Sequence, residues 1–301
     1  MENTSNLRIA FWGTSRISII VLEEMAREGF LPSLIITAPP KPKGRGLELT
    51  PSEVKVWADA HNIPTLEPSD IRTEEFAKSL GDNWDLFLVV SYGKIIPRAI
   101  LDLPQHGTLN LHPSLLPKLR GASPIQGAIL EDCPVGGPHE AGVTIMLIDE
   151  EVDHGPIVAQ EKIVIENWPP KASWLEETLG TLGAKLLVKT IPEWTLGKIA
   201  PREQDHDRAS YIKKVTKLSG HIDINDNPER MYRKIRAFDV WPRTYFLFKR
   251  KSLRPGRESA DSDIRVIVTE AHIEDGKLII DRVIPEGKRE MTYDEFLRGQ
   301  R

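Results

Sequence analysis

The apolar residues of the chain fall into short runs separated by stretches with helical spacing. LRIAFW at Leu7 to Trp12, SLIIT at Ser33 to Thr37, DLFLVVS at Asp85 to Ser91 and GTLNLH at Gly107 to His112 read as strands. Their alternation with helical segments predicts an α/β domain built on a largely parallel sheet. GVTIMLI at Gly142 to Ile148 and PIVAQEKIVI at Pro156 to Ile165 follow, the second with partial polar alternation, which predicts an antiparallel addition at one edge. A helix is expected next, with Ser173 and Glu176 as a capping box and Leu175, Leu179, Leu182 and Leu186 as its apolar stripe. The polar stretch Gly197 to Ser210 has little helical or strand character and reads as a linker. Beyond it, Asn227 and Pro228 open the helix NPERMYRKIRAF, and several short strand-like runs end in EGKREMTYDEFLRG. The expected division is a large domain over 1–190, a linker over 191–208 and a small β-rich domain over 209–301.

Composition narrows the classes. With 301 residues and 40% hydrophobic side chains the chain can bury two cores of unequal size. No apolar run approaches the roughly 20 residues that span a bilayer, and the N-terminus lacks a signal-peptide pattern, so no membrane association and a cytoplasmic location are expected. The single cysteine, Cys133, rules out an intramolecular disulfide and a cysteine cluster, and the eight histidines have no HExxH-like spacing, so no metal is expected. The net charge of −4 conceals an asymmetry. Residues 1–208 carry 20 basic and 29 acidic side chains, whereas residues 209–301 carry 20 and 15. A catalytic domain joined to a polyanion-binding domain would show this pattern.

Nucleotide and serine-hydrolase chemistry find little support. WGTSRIS offers one glycine where a dinucleotide turn has GxGxxG, GRGLEL has the wrong spacing, and Ser114 has no GxSxG elbow. The segment TLNLHPSLLPKLRGASPIQ, Thr108 to Gln126, is different. In an α/β sheet, polar side chains at the carboxyl end of a strand face the substrate crevice. Asn110 and His112 alternate with leucine and project to one side there, with Pro113 and Pro117 stiffening the loop behind them. A carboxylate would complete a site able to move a proton and stabilise an oxyanion. EEVDHGP supplies Asp153, but the residues alone leave Asp149, Glu150 and Glu151 open as well.

With these segments in order, the chain resembles the methionyl-tRNA formyltransferases from Leu7 almost to Gly299. The motifs are FWGT, the basic loop PPKPKGRGLELTPSEVK, SYGKIIP, NLHPSLLPKLRGASPIQ, GVTIMLIDEEVDHGP, the basic IRAF segment and IPEGKREMTYDEFLRG. The resemblance implies a Rossmann-like formyltransferase domain with a mixed, mostly parallel sheet and a small C-terminal OB-like β-barrel that binds tRNA. It implies 10-formyltetrahydrofolate as formyl donor, initiator methionyl-tRNA as acceptor, no metal, a monomer, and Asn110, His112 and Asp153 as the catalytic unit. Folate contacts would come from Tyr92, Gly93, Lys94, Ile95 and Ile96, from Ser114, Leu115, Leu116 and Pro117, and from Gly142, Val143 and Thr144. The pterin would bond the backbone near Tyr92 to Ile95 and at Gly142 to Thr144, with Ile96 and Leu116 enclosing it unless they are ordinary core. Lys41, Lys43 and Arg45 in the loop and Arg230, Arg233, Lys234 and Arg236 in the second domain would hold the RNA, Arg230, Arg233 and Lys234 on one helix face.

Three departures stand out. Val152-Asp153-His154-Gly155 replaces the usual Leu-Asp-Thr-Gly, GTSRIS replaces a Gly-Thr-Pro turn, and the segment Asp132 to Gly142 is longer than usual. A sugar-nucleotide N-formyltransferase is the alternative, sharing the donor and the site but needing no tRNA-binding domain. Glycinamide ribonucleotide formyltransferase and a non-catalytic RNA-binding protein are weaker rivals.

Overall fold

The structure is a computed structural model that describes residues 7–43, 47–131, 133–249 and 263–300. Its first sheet takes β1 (Ile9–Gly13), β2 (Leu34–Ile36), β5 (Thr65–Leu66), β6 (Leu86–Val90), β7 (Thr108–His112), β9 (His139–Leu147) and β10 (Ile157–Ile165) in the order β10-β9-β7-β6-β1-β2-β5. The pairs β1–β2, β1–β6, β2–β5 and β6–β7 are parallel, whereas β7–β9 is antiparallel, as the patterning predicts. Between strands run α1 (Arg16–Arg27), α2 (Glu53–Ala60), α3 (Glu74–Leu80), α4 (Arg98–Leu101) and α5 (Pro124–Leu130), and α6 (Ala172–Thr195) follows β10. The short β3 (Lys41–Lys43) and β4 (Glu48–Thr50) form an exposed antiparallel hairpin. The two-residue β8 (Arg120–Gly121) pairs in parallel with β11 (Tyr211–Ile212).

Each sheet face buries its own side chains. Ala10, Trp12, Leu34, Ile36, Phe87 and Val89 pack against Phe76 and Leu80 of α3 and Ile100 and Leu101 of α4. Each such fully buried aliphatic or aromatic side chain contributes about 1.5–3 kcal/mol. On the other face α6 comes close enough that a Cβ at Gly183 would stand 2.6 Å from Leu111. Leu111 thus faces α6, which turns its neighbours Asn110 and His112 to the opposite side of β7.

The helix α6 differs from its expected start. Ala172 is already helical, so Ser173 is not the N-cap; its backbone N–H and hydroxyl both bond the carboxylate of Asp239. The most buried stripe is Leu175, Leu179, Leu187 and Ile191; Leu175 and Leu179 are as expected, whereas Leu182 and Leu186 are only half-buried and the stripe passes to Leu187, one residue further on. The helix also runs on through Pro192 to Thr195, so the first residues of the expected linker are helical.

The chain divides into two compact units, the first gathering Met1–Pro124, Glu140–Ile163 and Glu176–Ile212, the second Ile125–His139, Val164–Leu175 and Lys213–Arg301. The second holds α7 (Pro228–Ala237), an antiparallel sheet β12 (Thr244–Lys249), β13 (Asp263–Glu274), β14 (Lys277–Pro285) and β15 (Met291–Thr292), and α8 (Tyr293–Arg298). Asn227 caps α7 and Pro228 occupies its first turn, as expected. Met231 and Ile235 of α7 bury against Phe246, Val266, Val268 and Val283 of the sheet and Phe296 of α8. The strand order β12-β13-β14-β15 is compatible with an OB-like barrel. Among the described residues no helix is long and apolar enough to cross a membrane.

Candidate active site

The site forms where β7 ends. Its register sets Asn110 against Met146 and His112 against Thr144 of β9. Asn110 is half-buried and His112 buried. Nδ1 of His112 lies 3.5 Å from Oδ1 of Asp153, while Nε2 lies 3.0 Å from the carbonyl oxygen of Leu119. A carbonyl only accepts, so Nε2 carries the proton of this contact. A neutral ring then presents a bare Nδ1 to Asp153, and a doubly protonated ring pairs with it.

Asp153 is held as tightly. Its Oδ2 accepts the backbone N–H of Gly121 at 2.7 Å, and its own backbone sits at φ 53°, a left-handed conformation that a non-glycine residue adopts only when its surroundings enforce it. The neighbouring carboxylate Asp149 is committed elsewhere, bonding Nδ1 of His154 at 2.6 Å. His154 stacks on His206 with ring centroids 4.1 Å apart. Of the carboxylates left open by the sequence, Asp153 is therefore the one the fold brings to His112.

The loop behind the strand is organised by Thr144. Its hydroxyl donates to the Ser114 carbonyl at 2.7 Å and accepts from Leu116 N at 3.1 Å and from Gln160 Nε2 at 2.9 Å. Gln160 also donates to the Leu116 carbonyl, and Ser114 donates to that of Lys118. Leu116 buries with Met146 and Ile157, and Ile96 with the core beneath β6. Both side chains are thus buried. Gly142, Val143 and Thr144 lie within β9; Thr144 pairs with His112, the last residue of β7, and Gly142 and Val143 run past that strand's end. Leu115 and Pro117 are half-buried.

After β6 the chain turns outward. Tyr92 is 4% exposed, its ring edge-on to Trp12 at 5.3 Å, and burial pushes its phenol up to about 12. Gly93 follows at φ 79°, Lys94 donates to the carbonyls of Pro68 and Ser69, and Ile95 is 79% exposed. Val152, beside Asp153, is also exposed. Among the described residues no three His, Cys, Asp or Glu are grouped to hold a metal ion.

The basic residues separate into exposed and committed ones. Lys41 and Lys43 are exposed on the hairpin, and Arg45 lies outside the described residues. On α7, Arg230 is exposed and pairs with Asp226 at 3.6 Å. Arg233 is only 5% exposed and donates to the Cys133 carbonyl at 2.6 Å. The expected single face of Arg230, Arg233 and Lys234 is thus broken, because Arg233 points into the second unit. Lys234 donates to the His221 carbonyl, its ammonium lowered chiefly by burial and further by Arg230, and Arg236 donates to that of Pro169. The long segment before Gly142 also packs: Gly136 N–H donates to the Trp168 carbonyl, Trp168 N–H donates to the Gly137 carbonyl, and His139 stacks on Trp168 at 4.1 Å.

Residues 8–191 match the family described as formyl transferase, and residues 214–301 match its C-terminal domain. The chain belongs to this formyltransferase family. A curated methionyl-tRNA formyltransferase from Geobacillus sp. (strain WCH70) is 35% identical over 306 residues, covering 97% of this chain and 94% of the relative. Among solved structures, a methionyl-tRNA formyltransferase from Clostridium thermocellum aligns with TM-score 0.57 at 18% identity, over 93% of this chain and 98% of the other. An N-formyltransferase from Helicobacter canadensis, in complex with folinic acid and dTDP-3-aminofucose, aligns with TM-score 0.61 at 20% identity, over 92% and 100%. At such identities the two structures establish the formyltransferase fold.

Sequence reasoning missed the groups that hold this family's site in place here. Gln204 and His206 sat in a stretch read as linker, with nothing in their spacing to mark them. Arg120 falls inside the segment Thr108 to Gln126 with no feature of its own to mark it.

Proposed function

We propose that this enzyme transfers the formyl group of 10-formyltetrahydrofolate to the α-amine of methionyl-tRNA, with Asn110, His112 and Asp153 as its catalytic unit. The observation that carries the acceptor is the 35% identity to a methionyl-tRNA formyltransferase over 97% of the chain. The sugar-nucleotide alternative is not favoured by relatives of that span. The folate reading draws on the family and on the N-formyltransferase of the same fold that was solved in complex with folinic acid.

The neutral amine adds to the formyl carbon, its lone pair forming the new C–N bond as the carbonyl pair moves to oxygen. The Asn110 amide donates a hydrogen bond to that oxygen, with a typical worth of about 3–4 kcal/mol. In this reading His112, its Nδ1 3.5 Å from Oδ1 of Asp153, orients that carboxylate toward the reacting amine. Asp153 helps take a proton from the ammonium. The tetrahedral species then collapses, the oxygen lone pair re-forms the carbonyl, the carbon–N10 bond breaks, and N10 leaves carrying the proton that Asp153 took from the ammonium. Tyr92, Gly93, Lys94, Ile95 and Ile96, with Ser114, Leu115, Leu116 and Pro117 and with Gly142, Val143 and Thr144, would form the donor site, and Lys41, Lys43 and Arg230 would meet the RNA. The catalytic domain spans 1–190 and the tRNA-binding domain 209–301, and the enzyme works in the cytoplasm as a monomer.

The test compares formyl transfer to methionyl-tRNA and to an amino-sugar nucleotide from one donor. Turnover with the tRNA at least a hundredfold above the sugar is expected; the reverse order would overturn the reading.

A further inference from the structure

Arg120 is the most deeply buried charged side chain among the described residues, 1% exposed. Its guanidinium donates to Gln204 Oε1 from Nε at 3.2 Å and Nη2 at 2.7 Å, to the Tyr211 hydroxyl at 3.0 Å and to His206 Nδ1 at 2.9 Å. These partners are neutral, since His206 Nδ1 must accept from a group that only donates. A buried cation with neutral partners is a costly arrangement that a fold retains for what it fixes. What it fixes is the orientation of one amide. With Oε1 turned to the guanidinium, Gln204 Nε2 faces the other way and donates to the carbonyls of Asp153 at 3.0 Å and Gly155 at 2.7 Å.

The residue after Arg120 completes the grip. Gly121 N–H holds the Asp153 carboxylate, so residues 120 and 121 fix respectively its main chain, through Gln204, and its side chain directly. Between them they over-determine a residue at φ 53° whose carboxylate must stand beside His112.

We propose that Arg120 is a positioning residue for formyl transfer, acting through Gln204 to hold Asp153 against His112. The inference rests on the reading of Asp153 as a catalytic residue. It adds a role for a stretch that looks like linker, because Gln204 couples the end of the catalytic domain to the geometry of the reaction.

The deciding variant is Gln204→Glu. It keeps the shape and an acceptor for Arg120, but replaces the donating Nε2 with an oxygen aimed at two carbonyl oxygens. We expect kcat to fall about 30-fold, the scale of a sub-ångström misplacement of a catalytic group, with KM for donor and tRNA within twofold and the melting temperature no lower. In an Asp153→Asn background the same change should cost less than twofold, since the group it positions is already disabled. Arg120→Lys, which keeps the charge but reaches fewer acceptors, should lose about tenfold in kcat and serves if Gln204→Glu does not fold. Wild-type kcat in Gln204→Glu beside a disabled Asp153→Asn, or a further 30-fold loss in the Asp153→Asn background, would overturn the positioning role and leave the catalytic reading intact. Normal turnover in Asp153→Asn would overturn both.

Discussion

Gly121 donates its backbone N–H to Asp153 at 2.7 Å from a conformation that only glycine holds without strain, φ 111°. It also pairs with Ile212 in the β8–β11 ladder, so closely that a Cβ would overlap the Ile212 carbonyl oxygen. Gly121→Ala should therefore cost about 3 kcal/mol or more, combining left-handed strain with displacement of the ladder. Gly29→Ala is the control, since Gly29 has φ 79° and nothing within 4 Å of the added atom, and should cost only about 1 kcal/mol. Urea unfolding of both proteins checks this, and equal costs would show that the close approach carries no energy.

Asn110→Ala, His112→Ala and Asp153→Asn should each lower kcat by about 10²- to 10³-fold while leaving circular dichroism unchanged. In the proposed catalytic unit His112 and Asp153 share one role, so the double variant should be no worse than about the worse single one. Steady-state kinetics of the four proteins decide it. Losses that multiply would mean that the two side chains act independently despite their 3.5 Å separation.

The elements of the first sheet were legible because a parallel, doubly covered sheet demands continuous apolar runs, and LFLVV and IAFWG are such runs. The candidate site was only partly legible. Two polar side chains alternating with leucine at a strand exit marked Asn110 and His112 as readily for a strand terminus as for chemistry, and Asp153 stood level with Asp149, Glu150 and Glu151 until the fold set it 3.5 Å from His112. The supports of the site were not legible, since Arg120, Gln204, His206 and Tyr211 meet only through tertiary structure and each is unremarkable in its own window. The same blindness misassigned Arg233. Helical spacing put it beside Arg230 and Lys234, and only the packed segment around Cys133 shows that it points inward.

Tyr92 provides a pH test. Its folded phenol, pushed from 10.0 to about 12 by burial, holds its proton more tightly than in the unfolded chain. The resulting stability is complete below pH 10 and is lost as pH climbs through 12, by about 2–3 kcal/mol at 1.36 kcal/mol per unit. Tyr92→Phe removes this loss, leaving a shallower fall to which Tyr293, also raised by burial, contributes. Denaturant unfolding at pH 9, 10 and 11 compares the two proteins. Parallel stability curves would show that Tyr92 ionises freely.

The last prediction separates RNA-facing cations from structural ones by their salt response. Lys41 and Lys43 are exposed on the hairpin and Arg230 on α7, where it has only an exposed 3.6 Å pair with Asp226 to give up, so each can neutralise a phosphate and release its counterion. Each such contact contributes about 0.7–0.9 to the slope of log affinity against log salt. The triple variant Lys41→Glu, Lys43→Glu, Arg230→Glu should bind methionyl-tRNA more weakly and with a slope shallower by about 2–3, while donor binding stays within twofold. Arg233 behaves differently, because its guanidinium is buried on the Cys133 carbonyl and lies 3.6 Å from Glu229. Arg233→Met should lower stability by about 2–4 kcal/mol yet leave the salt slope of the remaining folded protein unchanged. Filter binding across roughly 50–300 mM salt, with unfolding curves on the same preparations, gives both readings. A slope that flattens in Arg233→Met and holds in the triple variant would reverse the assignment, making the inward-facing arginine the RNA contact and the exposed ones a solvated surface.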